Sequence, residues 1–111
     1  MSITRLNDPI IILSTCGSQQ EAELIAKRLV EQQLAACVQI TPHIQSIYRW
    51  EGEVCQDVEA LLVVKTLKRN ESKVQVCIKS LHSYSVPEVV SLAPESMDSQ
   101  YQQWLIQETA H

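Results

Sequence analysis

The sequence predicts an α+β sandwich with the element order βαββαβ and a short C-terminal helix. Two observations predict it. Runs rich in Ile and Val alternate with two segments of helical periodicity, and two long strand-like runs are separated only by a reversal at Glu51-Gly52-Glu53. At 111 residues and 45% hydrophobic content, the chain is sized for one core. One domain over 1–111 is therefore expected, with the polar segment 1–8 as a flexible N-terminus.

Pro9 precedes Ile10-Ile11-Ile12-Leu13, a β-branched run bounded by Ser14-Thr15-Cys16-Gly17, which reads as a buried strand ending in a turn. Ser18 and Glu21 have the spacing of a capping box, and Ala22, Ile25, Ala26, Leu29 and Val30 follow at helical spacing. A helix from about Ser18 to Gln33 is predicted. Ala35 to Ile40 and, beyond Pro42, Ile44 to Trp50 form one arm of a hairpin, and Val58 to Thr66 the other.

That hairpin is long. Arms of roughly 14 residues span about 45 Å at about 3.3 Å per residue, whereas a domain of this size is only about 35 Å across. The tip must overhang the body, or bend back on it at Pro42. An overhang carrying Ile47, Tyr48, Trp50 and Val54 exposes apolar area that a second copy of the chain would cover.

Asn70 is placed to cap a second helix carrying Val74, Cys77, Ile78 and Leu81, and Pro87 then blocks helix before a strand from Glu88 to Ala93. Asp98 caps a last short helix bearing Tyr101, Trp104 and Leu105 on one face. This order is the split βαβ arrangement of ferredoxin-like domains.

A net charge of −4 argues against nucleic acid as a partner, since phosphate recognition draws on clustered Lys and Arg. No apolar run approaches membrane-spanning length. The segment at 1–8 has no secretory pattern, so a cytoplasmic protein with reduced thiols is expected. The four cysteines, Cys16, Cys37, Cys55 and Cys77, form no C-x-x-C pair, which excludes a zinc ribbon or thioredoxin-type motif. Cys37 and Cys77 read as core fillers. Gly17 and Gly52 are the only glycines, so there is no Gly-rich phosphate cradle, and no catalytic motif is recognisable. The chain is not expected to be an enzyme.

Cys16 lies before a helix N-terminus, where the dipole lowers a thiol pKa. His82 follows the second helix and Glu88 opens the last strand. A thiolate, an imidazole and a carboxylate together suit copper or zinc, and spacing alone leaves open whether Cys16, His82 and Glu88 meet. The plainer readings are a buried filler for Cys16 and a surface cap for His82. Tyr48, Trp50, Tyr84 and Trp104 belong to core or interface, or line a small-molecule cleft. Lys65, a lone charge in an apolar strand, snorkels to the strand end or holds an anionic group, with Glu59 and Glu88 as candidate partners.

Thr15-Cys16, Leu34-Ala35-Ala36-Cys37-Val38, Ser46-Ile47-Tyr48-Arg49-Trp50-Glu51-Gly52, Val64-Lys65-Thr66, His82-Ser83-Tyr84-Ser85-Val86-Pro87-Glu88 and Tyr101-Gln102-Gln103-Trp104-Leu105 together resemble the CutA family of divalent-cation tolerance proteins over nearly the whole chain. The resemblance implies a ferredoxin-like protomer in a tight homotrimer whose long hairpins pack on neighbours. It implies copper or another divalent cation as ligand, at Cys16 and near His82, although Leu81 stands where some relatives carry a second histidine. The family also looks like the trimeric PII-type signalling proteins. That likeness implies a small-molecule effector in an intersubunit cleft lined by Tyr48, Trp50, Lys65, His82, Tyr84, Glu88 and Trp104, or a scaffold for a protein partner.

Overall fold

The computed structural model describes residues 5–109. Strand β1 (Pro9–Cys16) leads to helix α1 (Gln19–Glu31), the hairpin β2 (Cys37–Trp50) and β3 (Glu53–Leu67), helix α2 (Glu71–Leu81), strand β4 (Val90–Leu92) and helix α3 (Ser99–Gln107). The sheet is antiparallel throughout with the order β2-β3-β1-β4. This is the ferredoxin-like α+β fold expected from the element order. Among the described residues no helix is long and apolar enough to cross a membrane.

β1 runs on through Ser14, Thr15 and Cys16, which the sequence reading gave to a turn. All three pair with β3, opposite Leu62, Leu61 and Ala60, and paired backbone outweighs the weak strand preference of Ser. Alternation then sorts the side chains. Ile10, Ile12 and Cys16 of β1 and Ala60, Leu62 and Val64 of β3 are buried with Ala22, Ile25 and Leu29 of α1 and Val74 and Ile78 of α2 in one core. The opposite face meets α3, where the Lys65 ammonium lies 5.5 Å from the centre of the Tyr101 ring.

The helix ends show how local chemistry was met or missed. Ser18 caps α1 by accepting from the Glu21 amide, but the Glu21 carboxylate bonds Ser83 instead of returning to Ser18, so only half of the capping box forms. α1 closes in a Schellman motif. Gln33 takes a left-handed φ of 58°, the Leu34 amide donates to Leu29 and the Gln33 amide to Val30. Asp98 caps α3 through the Tyr101 amide. Asn70 precedes α2 without a side-chain cap, because a 3-10 turn at Lys68–Asn70 enters the helix directly and Asn70 is buried.

The hairpin closes through Glu51 and Gly52, with φ of 49° and 81°, the left-handed pair that a two-residue turn requires. Thr41 faces Leu61, but Ile44, three residues on, faces Glu59. Pro42 and His43 therefore oppose a single residue in a β-bulge, with His43 at φ 57°. The bulge sits where the sequence suggested a bend, yet the strand continues through it. The molecule measures 43 × 34 × 23 Å, and among the described residues no strand pairs with the outer edge of β2.

Residues 5–8, expected to be flexible, form a turn that is tied down. Asp8 accepts from the Lys68 amide and Leu6 from the Arg69 amide; residues 1–4 of that segment lie outside the described residues. The last strand is shorter than predicted. Only Val90–Leu92 pair with β1, since the chain from His82 to Glu88 is drawn across the end of β1 by side-chain bonds.

Candidate metal cluster and adjoining cleft

The three strand and helix ends that meet at Cys16 bring the chemistry together. Cys16 Sγ, a Glu21 carboxylate oxygen and a His82 ring nitrogen all lie within 4.8 Å of one another. The structure thus joins Cys16 to His82, as the resemblance implied, but supplies Glu21 from the first turn of α1 as the carboxylate. Glu88 is elsewhere, exposed on the wall of the neighbouring cleft.

Two of the three donors already have hydrogen-bond partners. His82 Nε2 donates to the Thr15 carbonyl at 2.6 Å, and Nδ1 accepts from the Tyr84 amide at 3.1 Å. These two partners set the tautomer, since a carbonyl needs a donor and an amide needs an acceptor. Glu21 accepts from the Ser83 amide at 2.7 Å and from its hydroxyl at 3.3 Å. The Cys16 thiol is fully buried. Burial foremost, then the charges of Glu21 and Glu59, push its pKa from 9.0 to about 12. The helix N-terminus was expected to lower this value. Desolvation and two carboxylates outweigh it.

Beside the cluster, the outer hairpin and the 84–88 segment enclose an open cleft of about 740 Å³. Thr15, Ser46, Tyr48, Trp50, Asp57, Glu59, Tyr84 and Glu88 are among its walls. Cross-strand pairing places Ser46 opposite Asp57 and Tyr48 opposite Cys55, so these side chains share one face. Tyr48 donates to Asp57, and Tyr84 donates to Glu59 at 2.9 Å. The bond to Asp57 raises the Tyr48 pKa to about 12. Burial, reinforced by Glu59, raises that of Tyr84 further. The Tyr84 ring lies 4.8 Å from the His82 ring and covers Gly17, where an added Cβ would stand 3.1 Å from the Tyr84 hydroxyl.

Of the expected aromatic pocket, Tyr48, Trp50, Tyr84 and Glu88 do line this cleft. Lys65, His82 and Trp104 do not line it within one chain; Lys65 sits against Tyr101 on the part of the sheet that α3 covers, and His82 stands in the cluster with Cys16 and Glu21. Nor does Lys65 pair with Glu59 or Glu88, for among the described residues the one ion pair is Lys68 with Glu71 at 2.6 Å. Cys37 and Cys77 are half-buried, Cys77 packed against the core, and all four cysteines are free thiols.

The CutA1 family model, described as CutA1 divalent ion tolerance protein, matches residues 10–108. A divalent-cation tolerance protein CutA from Thermus thermophilus is 46% identical over 99 residues, covering 89% of this chain and 96% of that protein. The solved structure of a divalent cation tolerance protein from the same organism superposes with a TM-score of 0.89 at 45% identity, over 92% of this chain and 99% of that one. A chloroplastic Protein CutA of Arabidopsis thaliana is 35% identical over 96 residues, which is 86% of this chain and 53% of that longer protein.

Proposed function

Because the chain belongs to the CutA1 divalent ion tolerance family, we propose that it acts in divalent-cation tolerance as a non-catalytic, homotrimeric protein of the cytoplasm. In this reading it binds a divalent cation, copper foremost, through Cys16, Glu21 and His82. The observation that carries it is the convergence of a thiol, a carboxylate and an imidazole within 4.8 Å, a donor set suited to copper or zinc. The set fits by donor type, and it is guarded. A cation must displace the thiol proton and one hydrogen bond of His82, so binding strengthens as pH rises.

Self-association is supported by the free edge of β2 and by the back of the hairpin, where Ile47, Val54 and Val58 are 61, 69 and 63% exposed. Such apolar area on an open strand calls for a cover. Calorimetric titration of the reduced protein with copper and with zinc, beside a Cys16→Ser variant and a measurement of mass in solution, tests both parts. Affinity that falls by orders of magnitude in the variant is expected, in a particle of three chains. Unchanged affinity removes the site, and a monomer removes the trimer.

A second reading rests on the cleft. Its volume and its Tyr48, Trp50 and Tyr84 walls suit a small-molecule effector, and a metabolite screen by melting temperature tests it, because a ligand selective for the native state raises the midpoint. A screen without shifts counts against an effector.

A further inference from the structure

Among the described residues, the walls that one chain gives the cleft carry three carboxylates, Asp57, Glu59 and Glu88, and no Lys, Arg or His. Glu59 is the informative one. It is only 7% exposed, and among the described residues the one side-chain hydrogen bond that its carboxylate accepts comes from the Tyr84 hydroxyl. No cation stands within ion-pair distance of it among the described residues. A carboxylate so far removed from water without a positive partner is costly, and the cost falls if something cationic enters the cleft.

The remaining polar groups point the same way. Both phenols spend their protons on carboxylates, Tyr48 on Asp57 and Tyr84 on Glu59, leaving the cleft rich in acceptors. Exposed aromatic faces at Tyr48, Trp50 and Tyr84 add the quadrupole attraction that ammonium and guanidinium groups find over rings. Among the described residues of one chain, an anion in the cleft would meet only like charge.

A bare metal ion is a poorer match. Oxygen ligands must gather at about 2.0 to 2.6 Å around such an ion, so they must already lie close to one another. The one trio of donors so assembled among the described residues is Cys16, Glu21 and His82; the cleft carboxylates are spread over a cavity of about 740 Å³, the size of a small organic ligand.

We propose that the cleft binds a small organic cation, with its ammonium or guanidinium group held by Glu59 and Asp57 or Glu88 against the aromatic walls. This rests on the effector reading of the cleft and names the chemical class of the effector. The same geometry makes Tyr84 a positioning residue, since His82 holds its backbone and Gly17 leaves room for its hydroxyl beside Glu59.

The test uses the full chain carrying Trp104→Phe, so that Trp50 is the only tryptophan and reports on the cleft. Agmatine, putrescine and tetramethylammonium are titrated as cationic probes, with glutamate, inorganic phosphate, glucose and magnesium as contrasts. Saturable quenching by at least one organic cation is expected, weakened at least tenfold by Glu59→Gln and by raised ionic strength. Glu88→Gln, at an exposed site, serves if the Glu59 variant fails to fold, and there the same direction of change is expected. Saturation by glutamate, phosphate or glucose, with none by the organic cations, would overturn the cationic class while keeping an effector site. Magnesium competing at the same carboxylates in place of the organic cations would overturn it in favour of a metal. Silence from every probe, or cation binding that ignores the carboxylate variants, overturns it as well.

Discussion

Selective alkylation of the four thiols is a direct test of the electrostatics at Cys16. The thiolate is the reacting species, so the rate follows the ionised fraction. At pH 8 an ordinary thiol with a pKa of 9.0 is about one-tenth ionised. With the pKa at about 12, the Cys16 thiolate fraction falls to about one in 10⁴, a deficit of about a thousandfold before burial limits access. Its rate should climb about tenfold per pH unit well past pH 9, where an ordinary thiol levels off. Iodoacetamide pulses on the native protein between pH 7 and 10, read by peptide mass spectrometry against half-buried Cys55 and against the denatured chain, give the four rates together. Labelling of Cys16 as fast as Cys55, or a rate that levels at pH 9, would refute the claim that desolvation and two carboxylates overcome the helix terminus. The same proton competes with a cation, so log K for copper should rise by up to about one per pH unit over this range.

The remaining expectations concern the neighbours of that thiol. Gly17→Ala places a Cβ against the Tyr84 hydroxyl and should cost about 1 to 3 kcal/mol by breaking its bond to the buried Glu59 carboxylate; urea titration should show the loss disappearing in a Tyr84→Phe background, and full additivity of the two changes would argue that they do not share this contact. His82→Ala removes the ties to Thr15 and Tyr84, and hydrogen exchange should quicken over residues 82–89 while α1 stays protected; a uniform rise across the chain would mean that the ties hold the fold rather than the loop. Raised pKa values at Cys16 and Tyr48 belong to groups whose folded state favours the proton, so their stabilisation is complete below about pH 9 and 10 and is lost as pH rises toward about 12. Thermal melts should fall over this window, Cys16→Ala removing the part that begins near 9 and Tyr48→Phe the part above 10; a midpoint that holds steady to pH 12 would contradict both shifts.

Much of this architecture could be read from the chain because its signals are local. Ser18 and Asp98 announce their helices, Glu51-Gly52 announces its turn, and the length of the arms announces a protruding hairpin. The pairing of Cys16 with His82 came from the family resemblance, spacing alone having left it open. Glu21 was visible but assigned to a capping box, and its place in the first helical turn beside the end of β1 was the signal that could have identified it as the third donor. The bond between Tyr84 and Glu59 spans 25 residues, and nothing in periodicity or spacing reports it. The raised pKa of Cys16 was equally hidden, because the dipole of α1 can be inferred from sequence whereas the depth of burial cannot. Asn70 misled for the opposite reason: a residue with strong capping preference was spent inside a 3-10 turn.

The bulge at Pro42 and His43 has a separate importance for the hairpin. Because those two residues together oppose one residue of β3, removing His43 would leave every later partnership intact, Ile44 still facing Glu59 and Trp50 still facing Glu53. What would change is the local bend and extra twist that a bulge imparts. Direction and pairing are therefore written independently in this strand: the alternation of residues decides who sits opposite whom, while one surplus residue decides where the arm is aimed. A lineage could redirect the arm toward a different neighbour by gaining or losing a single codon, without rebuilding the face that it presents.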